Sequence, residues 1–427
     1  MPPISLNRRA ILALSGALVL FFLLSGIITN HVRPDIVQNH IPDRWKSPPN
    51  EPPQQQDPLP EPPKKEEAPP KESPPKEQPV EPEPPRENPK QEWQEEIFPL
   101  AKAGNIPKIN PRNVVKDNNL KTPLLIGFTR NWYLLEQAVV SYLAAGWPPS
   151  ELIVIDNSGV MDSNLRGLLT PKNPWYLNHT RLTQLGVSVK RTPTLLSFAQ
   201  LQNFYINYAI EQDWDYYFWS HMDVVVLSNE WEEDKKYKGL YEKAVDVLRA
   251  TLDERRHWAL KFFAYDWLTL VNVEAMKDVG VWDTQIPYYM TDCDMYARLD
   301  MKKWTLDPVD AGLVYDVASH LKDLSVLYPD EGHESELNTT RFNDLKKELK
   351  FMMEEKQNNT GPSGRNYWQA RQDGGQGEPF WRNPQGFEKA INFWIEKGRE
   401  LFRLKWNYPN CDLVAQGYKY GEEWTRE

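Results

Sequence analysis

Two short apolar runs with a helical pattern between them constrain this chain more than any other feature. LLIGFT at 124–129 and LIVIDNSG at 152–159 lack the polar alternation of a strand with one wet face, so each reads as a strand buried on both faces. Between them WYLLEQAVVSYLAA (132–145) has helical spacing and stops at Gly146, before Pro148 and Pro149. The unit is β-α-β, and its second strand ends in Asp156, Asn157, Ser158 and Gly159, as in nucleotide-binding sheets where a carboxylate binds ribose or base. No GxGxxG follows the first strand, so the dinucleotide-binding fold in its usual form is not expected.

The alternation continues downstream. A weak strand at 187–190 precedes a helix at 197–212 (SFAQLQNFYINYAIEQ), which leads into WDYYFWSHMDVVVLS. There the aromatic run 216–219 reads as a buried strand that carries His221 and Asp223 to its carboxyl end, ahead of a second apolar run at 224–227. A His-x-Asp pair at a strand end fits a divalent-cation and diphosphate site, and it fits equally an Asp that only caps a turn. Next come an amphipathic helix at 237–252, with Leu240, Ala244, Val247 and Leu248 on one face, and one or two strands in HWALKFFAYDWLTLVN. Asp292 and Asp294 lie just before a helix expected at 295–301, where acids serve as caps or as a general base.

Composition separates this region from what precedes it. Residues 10–29 (AILALSGALVLFFLLSGIIT) are uncharged, apolar and long enough to span a bilayer, with Arg8 and Arg9 before them. A cleaved signal peptide is the other reading, but the run exceeds the usual signal core and leads into a stalk, which favours an anchor with its amino terminus in the cytosol. Of 37 prolines, 17 lie between Pro48 and Pro89, in a tract of Pro, Glu, Lys and Gln that cannot bury enough apolar area to offset chain entropy. The expected organisation is a tail at 1–9, an anchor at 10–29, a disordered stem at 30–95, a catalytic domain at 120–330 and a helical and loop extension at 331–427 packed on it. A net charge of −10 with no basic block downstream argues against nucleic acid as partner.

Taken in order, these pieces resemble the GT-A glycosyltransferases, most like the family 2 type, over residues 124–320. LLIGFTRN is similar to their first strand and its polar end, which brings in Arg130; LIVIDNSG to the strand whose Asp reads the base (Asp156); and SFAQLQNFYINYA to a helix bearing an Asn (Asn203). WDYYFWSHMD resembles the strand ending in a DxD motif, with His221 in place of the first Asp and Asp223 kept. VGVWDTQIPYYMTDCDMYARL resembles the segment that supplies the catalytic base, which puts Asp292 there with Asp294 in reserve, and VYDVASH puts His320 at a third metal ligand.

The resemblance implies an α/β fold, a Rossmann-like α/β/α sandwich with a mixed, mainly parallel sheet. It also implies Mn2+ or Mg2+ held by Asp223, His320 and His221, and inverting transfer from a nucleotide-sugar donor to a glycan, glycoprotein or glycolipid hydroxyl. The QxxRW motif of processive synthases is absent after Asp294, so one sugar is added at a time. With the anchor, this implies a single-pass type II protein of the Golgi or endoplasmic reticulum membrane with a lumenal head. Two alternatives remain: a catalytically inactive GT-A domain used as a glycan-binding or scaffold subunit, suggested by His221, and a retaining transferase.

Among the aromatics, Trp219, Trp267, Trp282, Tyr288 and Tyr289 are candidates to face sugar, although most large aromatics are core. Past His320, helices are expected at 341–356 and 387–404, with a polar loop at 361–377 between them. Cys293 and Cys411, the only cysteines, are compatible with one bridge or with two buried thiols. Asn178, Asn338 and Asn358 begin N-glycosylation sequons.

Overall fold

The structure, a computed structural model, describes residues 108–425 except 116–117, 231–235, 255–256, 330–338 and 359–372. All of these belong to the second of the two units into which the chain divides, Gln94–Glu427. The expected tail, anchor and stem lie outside the described residues. Among the described residues no helix is long and apolar enough to cross a membrane.

The elements run β1 (Leu124–Phe128), α1 (Trp132–Ala144), β2 (Leu152–Asp156), α2 (Met161–Leu165), α3 (His179–Gln184), β3 (Ser188–Arg191), α4 (Phe198–Glu211), β4 (Tyr216–Ser220), β5 (Val224–Leu227), α5 (Leu240–Asp253), β6 (Trp258–Phe262), β7 (Leu268–Asn272), α6 (Val273–Asp278), α7 (Thr291–Met301), β8 (Thr305–Pro308), β9 (Leu313–Asp316), α8 (Thr339–Asn358) and α9 (Pro384–Trp406). Seven strands form one sheet in the order β3-β2-β1-β4-β7-β6-β8. β1 pairs in parallel with β2 and β4, β2 with β3, and β6 with β8, while β7 runs antiparallel to both β4 and β6. The sheet is therefore mixed and mostly parallel, as an α/β sandwich requires. Chain order runs outward from β1 to β3 and then returns to place β4 on the other side of β1. That reversal leaves a crevice at the carboxyl ends of β1 and β4, where open α/β sheets take their ligands.

Strand alternation divides the core into two layers. Leu124, Ile126 and Phe128 of β1, Leu152 and Val154 of β2 and Phe218 of β4 face α1, α5 and α8 on one side. Leu125, Ile153, Ile155, Tyr217 and Trp219 face α4, α6 and α7 on the other. Gly127 interrupts the apolar run of β1 because a Cβ there would meet the Tyr205 hydroxyl of α4 at 2.3 Å. Gly146 closes α1 with φ of +96°, and a Cβ there would strike the Asn113 carbonyl at 2.1 Å.

The run 224–227 does not extend the main sheet. As β5 it pairs antiparallel with β9, Val224 opposite Asp316, in a separate two-stranded ribbon. The C-terminal residues are built into the unit: α9 joins Phe402 and Trp406 to Ile286, Cys293 and Ala297. Beyond it Cys411 is disulfide-bonded to Cys293, Cα atoms 4.9 Å apart across 118 residues, so the bridge reading is the one that applies. Closing a loop of that length stabilises by up to about 5 kcal/mol in the chain-entropy account. Thermal melts with and without reductant should therefore differ by several degrees, with Cys411→Ser matching the reduced protein; equal melts would show the bridge to be energetically idle.

Candidate functional site

Arg130 leaves the end of β1 into the crevice and is only 9% exposed. Burial lowers its pKa to about 10, so it stays charged at neutral pH; Tyr288 and Asp223 favour the charge and Arg382 opposes it. Arg382 reaches the same place from the segment ahead of α9. The two guanidinium carbons lie 5.7 and 5.6 Å from one ring, Phe387, and that of Arg382 also sits 4.4 Å from Trp175. Arg382 donates to the Ser158 carbonyl at 3.1 Å. Among the described residues, Arg130 Nε and Arg382 Nη1 are buried without a hydrogen-bond partner. Two like charges held together with such donors offer hydrogen bonds of the kind that an anion accepts.

Asp223 follows β4 and is 3% exposed. The β5–β9 pairing places Asp316, 2% exposed, beside it, and the Asp223 carbonyl accepts from Val317 N at 2.8 Å. Between the two carboxylates lies the ammonium group of Lys356, from the last turn of α8 and 1% exposed. It donates to Asp223 Oδ2, to Asp316 Oδ1 and, at 3.2 Å, to the Val317 carbonyl. His221 stacks on Trp219 with ring centroids 5.1 Å apart, its Nδ1 3.7 Å from Asp223 Oδ1 and its Nε2 3.8 Å from Asp266 Oδ1.

The donor set expected for Mn2+ or Mg2+ is not assembled. His320 is exposed and stacks on Tyr133 at 5.1 Å, rather than joining Asp223. The Asp223 carboxylate is taken by a buried cation of the chain's own. Among the described residues no group of three or more His, Cys, Asp or Glu side chains is placed to hold a metal ion. These residues do not fit a divalent cation.

The expected helix start moves four residues upstream, so Asp292 and Asp294 both fall in the first turn of α7, and the helix turns them opposite ways. Asp292 is half-buried and accepts from the Tyr265 hydroxyl at 3.4 Å. The first turn of a helix favours its negative charge. Burial, with the Asp266 and Asp292 carboxylates, holds the Tyr296 phenol between them well above its ordinary pKa. Asp294 is fully buried and accepts from Arg298 Nε and Trp406 Nε1, both at 2.9 Å, with Lys405 Nζ at 2.8 Å. That is a structural anchor between α7 and α9, and it removes Asp294 as a reserve base.

Asn203 is likewise a strut. Its carboxamide donates to the Trp282 carbonyl at 2.8 Å and accepts from Trp282 N at 2.9 Å, fixing α4 to the segment ahead of α7. Asp156 stands at the end of β2 but is fully buried; its Oδ1 accepts from Ser158 N at 3.0 Å, and His179 Nε2 lies 3.9 Å from Oδ2. Trp219 and Trp282 are buried, whereas Trp267, Tyr288 and Tyr289 are half-buried. Four residues of the crevice escaped the sequence reading: Asp266, Asp316, Lys356 and Arg382. Asp316 carried a signal, since it lies in the same VYDVASH segment as His320; Lys356 is one of many lysines on an amphipathic helix.

No protein-family model matches the sequence, and neither does any curated protein. Among solved structures the chain is similar to a cytidylyltransferase from Leptospira borgpetersenii, at 12% identity and TM-score 0.32, covering 55% of this chain and 98% of that one. It is similar to S. aureus TarS at 10% identity and TM-score 0.30, covering 52% of this chain and 43% of TarS. A third is the mannosyltransferase PcManGT from Pyrobaculum calidifontis, solved with GDP-Man and Mn2+, at 11% identity and TM-score 0.30, covering 74% and 84%. At these scores the functional reading rests on the residues of the crevice themselves.

Two stability experiments follow from this geometry. Asp294→Ala leaves the buried Arg298 without a carboxylate, the Trp406 indole N–H without its acceptor and Lys405 with Asp283 alone, and should cost about 3 kcal/mol or more in chemical denaturation, whereas Asp292→Ala should stay within about 0.5 kcal/mol of the native protein. Burial raises the Asp156 pKa above its ordinary value, so the folded state holds that proton longer than the unfolded chain. The associated stability is present below the unfolded-state pKa and is lost as pH rises through the folded one. Asp156→Asn should therefore melt higher than the native protein at neutral pH, with the gap closing in acid; a gap that widens in acid would reverse this assignment.

Proposed function

We propose that the chain is a GT-A-type glycosyltransferase that moves one sugar from a nucleotide-diphosphate sugar to a hydroxyl of a glycan, glycoprotein or glycolipid, with inversion. The observation that carries the reading is the pair of guanidinium groups, Arg130 and Arg382, with buried unspent donors at the β1–β4 switch point of a mostly parallel sheet. Paired guanidiniums match the fork geometry of phosphate oxygens. Tyr288, within the field of Arg130, stands four residues ahead of Asp292, so the anion crevice and the carboxylate are supplied by one segment.

In this reading the acceptor oxygen attacks the anomeric carbon as the bond from that carbon to the diphosphate oxygen breaks. The electron pair leaves with the diphosphate, whose growing charge Arg130 and Arg382 receive. The acceptor proton passes to Asp292, which Tyr265 orients. No step is routed through a metal, because Lys356 holds the Asp223 carboxylate.

The proposed setting is the lumen of the Golgi or endoplasmic reticulum, behind an anchor at 10–29. The Cys293–Cys411 disulfide supports an oxidising compartment, and Asn358, at an exposed position, is open to glycosylation. Asp292→Asn should lower transfer by roughly 10²–10⁴-fold while leaving nucleotide-diphosphate binding unchanged. Near-native turnover would remove Asp292 from the role, and the absence of donor hydrolysis or transfer with any nucleotide sugar would favour the scaffold reading.

A further inference from the structure

We infer that this crevice takes its nucleoside diphosphate without a divalent cation, because Lys356 occupies the carboxylate a metal would need and Arg130 and Arg382 supply the positive charge. The inference rests on the nucleotide-sugar reading above and deepens it.

The charges decide the matter. A metal bridging a diphosphate to the protein needs a carboxylate ligand, and Asp223 is the acid that β4 brings to the crevice. Its Oδ2, together with Asp316 Oδ1, already faces the Lys356 ammonium, and Val317 O takes a third donor. The ammonium thus faces three named acceptors, and the three charged residues are each at most 3% exposed. A metal on Asp223 would share one carboxylate with the buried Lys356 ammonium, and a divalent ion that close to a buried cation is strongly repelled.

The second observation is independent of the first. Arg130 and Arg382 converge on Phe387, oppose one another's charge, and keep buried N–H groups without partners among the described residues, so the chain itself brings cationic charge to the place a diphosphate would occupy. Two like charges held together repel one another, and an anion between them relieves that repulsion. A diphosphate provides two acceptor-rich groups of the right sign. Lys356 itself is a positioning residue: it offsets one of the two negative charges of Asp223 and Asp316 and fixes both carboxylates, while the two arginines supply the positive charge presented to the incoming diphosphate.

The test is calorimetric binding of UDP and GDP to the full-length protein, in excess EDTA and again in excess MnCl2, with uridine and guanosine as probes lacking phosphate. One or both diphosphates should bind with a Kd that changes less than about twofold between the two conditions, and at least roughly tenfold more tightly than the matching nucleoside. Arg382→Gln should weaken diphosphate binding by roughly tenfold while leaving nucleoside binding unchanged. Native protein should show no rise in melting temperature with MnCl2 alone. Lys356→Ala, if it folds, should gain one; if it does not fold, the EDTA comparison and Arg382→Gln still decide. Diphosphate binding only with MnCl2 would overturn the inference and leave the transferase reading standing. Failure of both diphosphates under both conditions would overturn the two together.

Discussion

The buried ammonium of Lys356 between Asp223 and Asp316 ties together parts of the chain far apart in sequence. Asp223 comes from the turn after β4, Asp316 from β9 and Lys356 from the end of α8, 133 residues beyond Asp223. Each of the three would be costly to bury alone, and breaking a buried ionic set of this kind typically costs about 3–5 kcal/mol. The interaction therefore fixes α8 against the small β5–β9 ribbon and holds that ribbon beside the main sheet. It also sets the charge of the crevice, because two carboxylates that could have recruited a cation from solvent are satisfied from within.

A second tie operates on the opposite flank. Asp294 binds Arg298, Lys405 and Trp406, and the Cys293–Cys411 bridge lies next to it, so the first turn of α7 is locked to α9 by a charge network and a covalent bond. Two residues earlier in the chain, Asp292 points away from this anchor toward Tyr265. Rigidity at Asp294 and access at Asp292 are consequences of one helical turn. The segment after α8 brings Arg382 to the crevice, so the C-terminal residues contribute both the anchor and part of the site.

Much of the layer structure was legible because buried strands leave an unambiguous mark. LLIGF, LIVI and YYFW are apolar runs, and the helices between them show their period; the structure moves most boundaries by only one to three residues. The run VVVL was equally clear as a strand, yet nothing local could say that it pairs with LVYD in a separate ribbon. The acidic residues were harder. Asp292 and Asp294 are two positions apart in similar surroundings, and only the direction each takes on α7 divides a half-exposed carboxylate from a structural one. Asn203 and His320 matched positions in a pattern, but the first is consumed by the Trp282 backbone and the second stacks on Tyr133. Lys356 was invisible, since a lysine on an amphipathic helix ordinarily points to water, and its burial is dictated by partners more than thirty residues away.

The central claim is that a nucleoside diphosphate sits on Arg130 and Arg382 while Lys356 keeps the Asp223–Asp316 pair. The most direct measurement is a crystal structure of the protein soaked with nucleoside diphosphate and MnCl2, with data collected at the manganese absorption edge. The account predicts phosphate oxygens within hydrogen-bond distance of both guanidiniums, Lys356 still between the carboxylates, and no anomalous peak at Asp223. A manganese peak coordinated by Asp223, with Lys356 displaced, would contradict it.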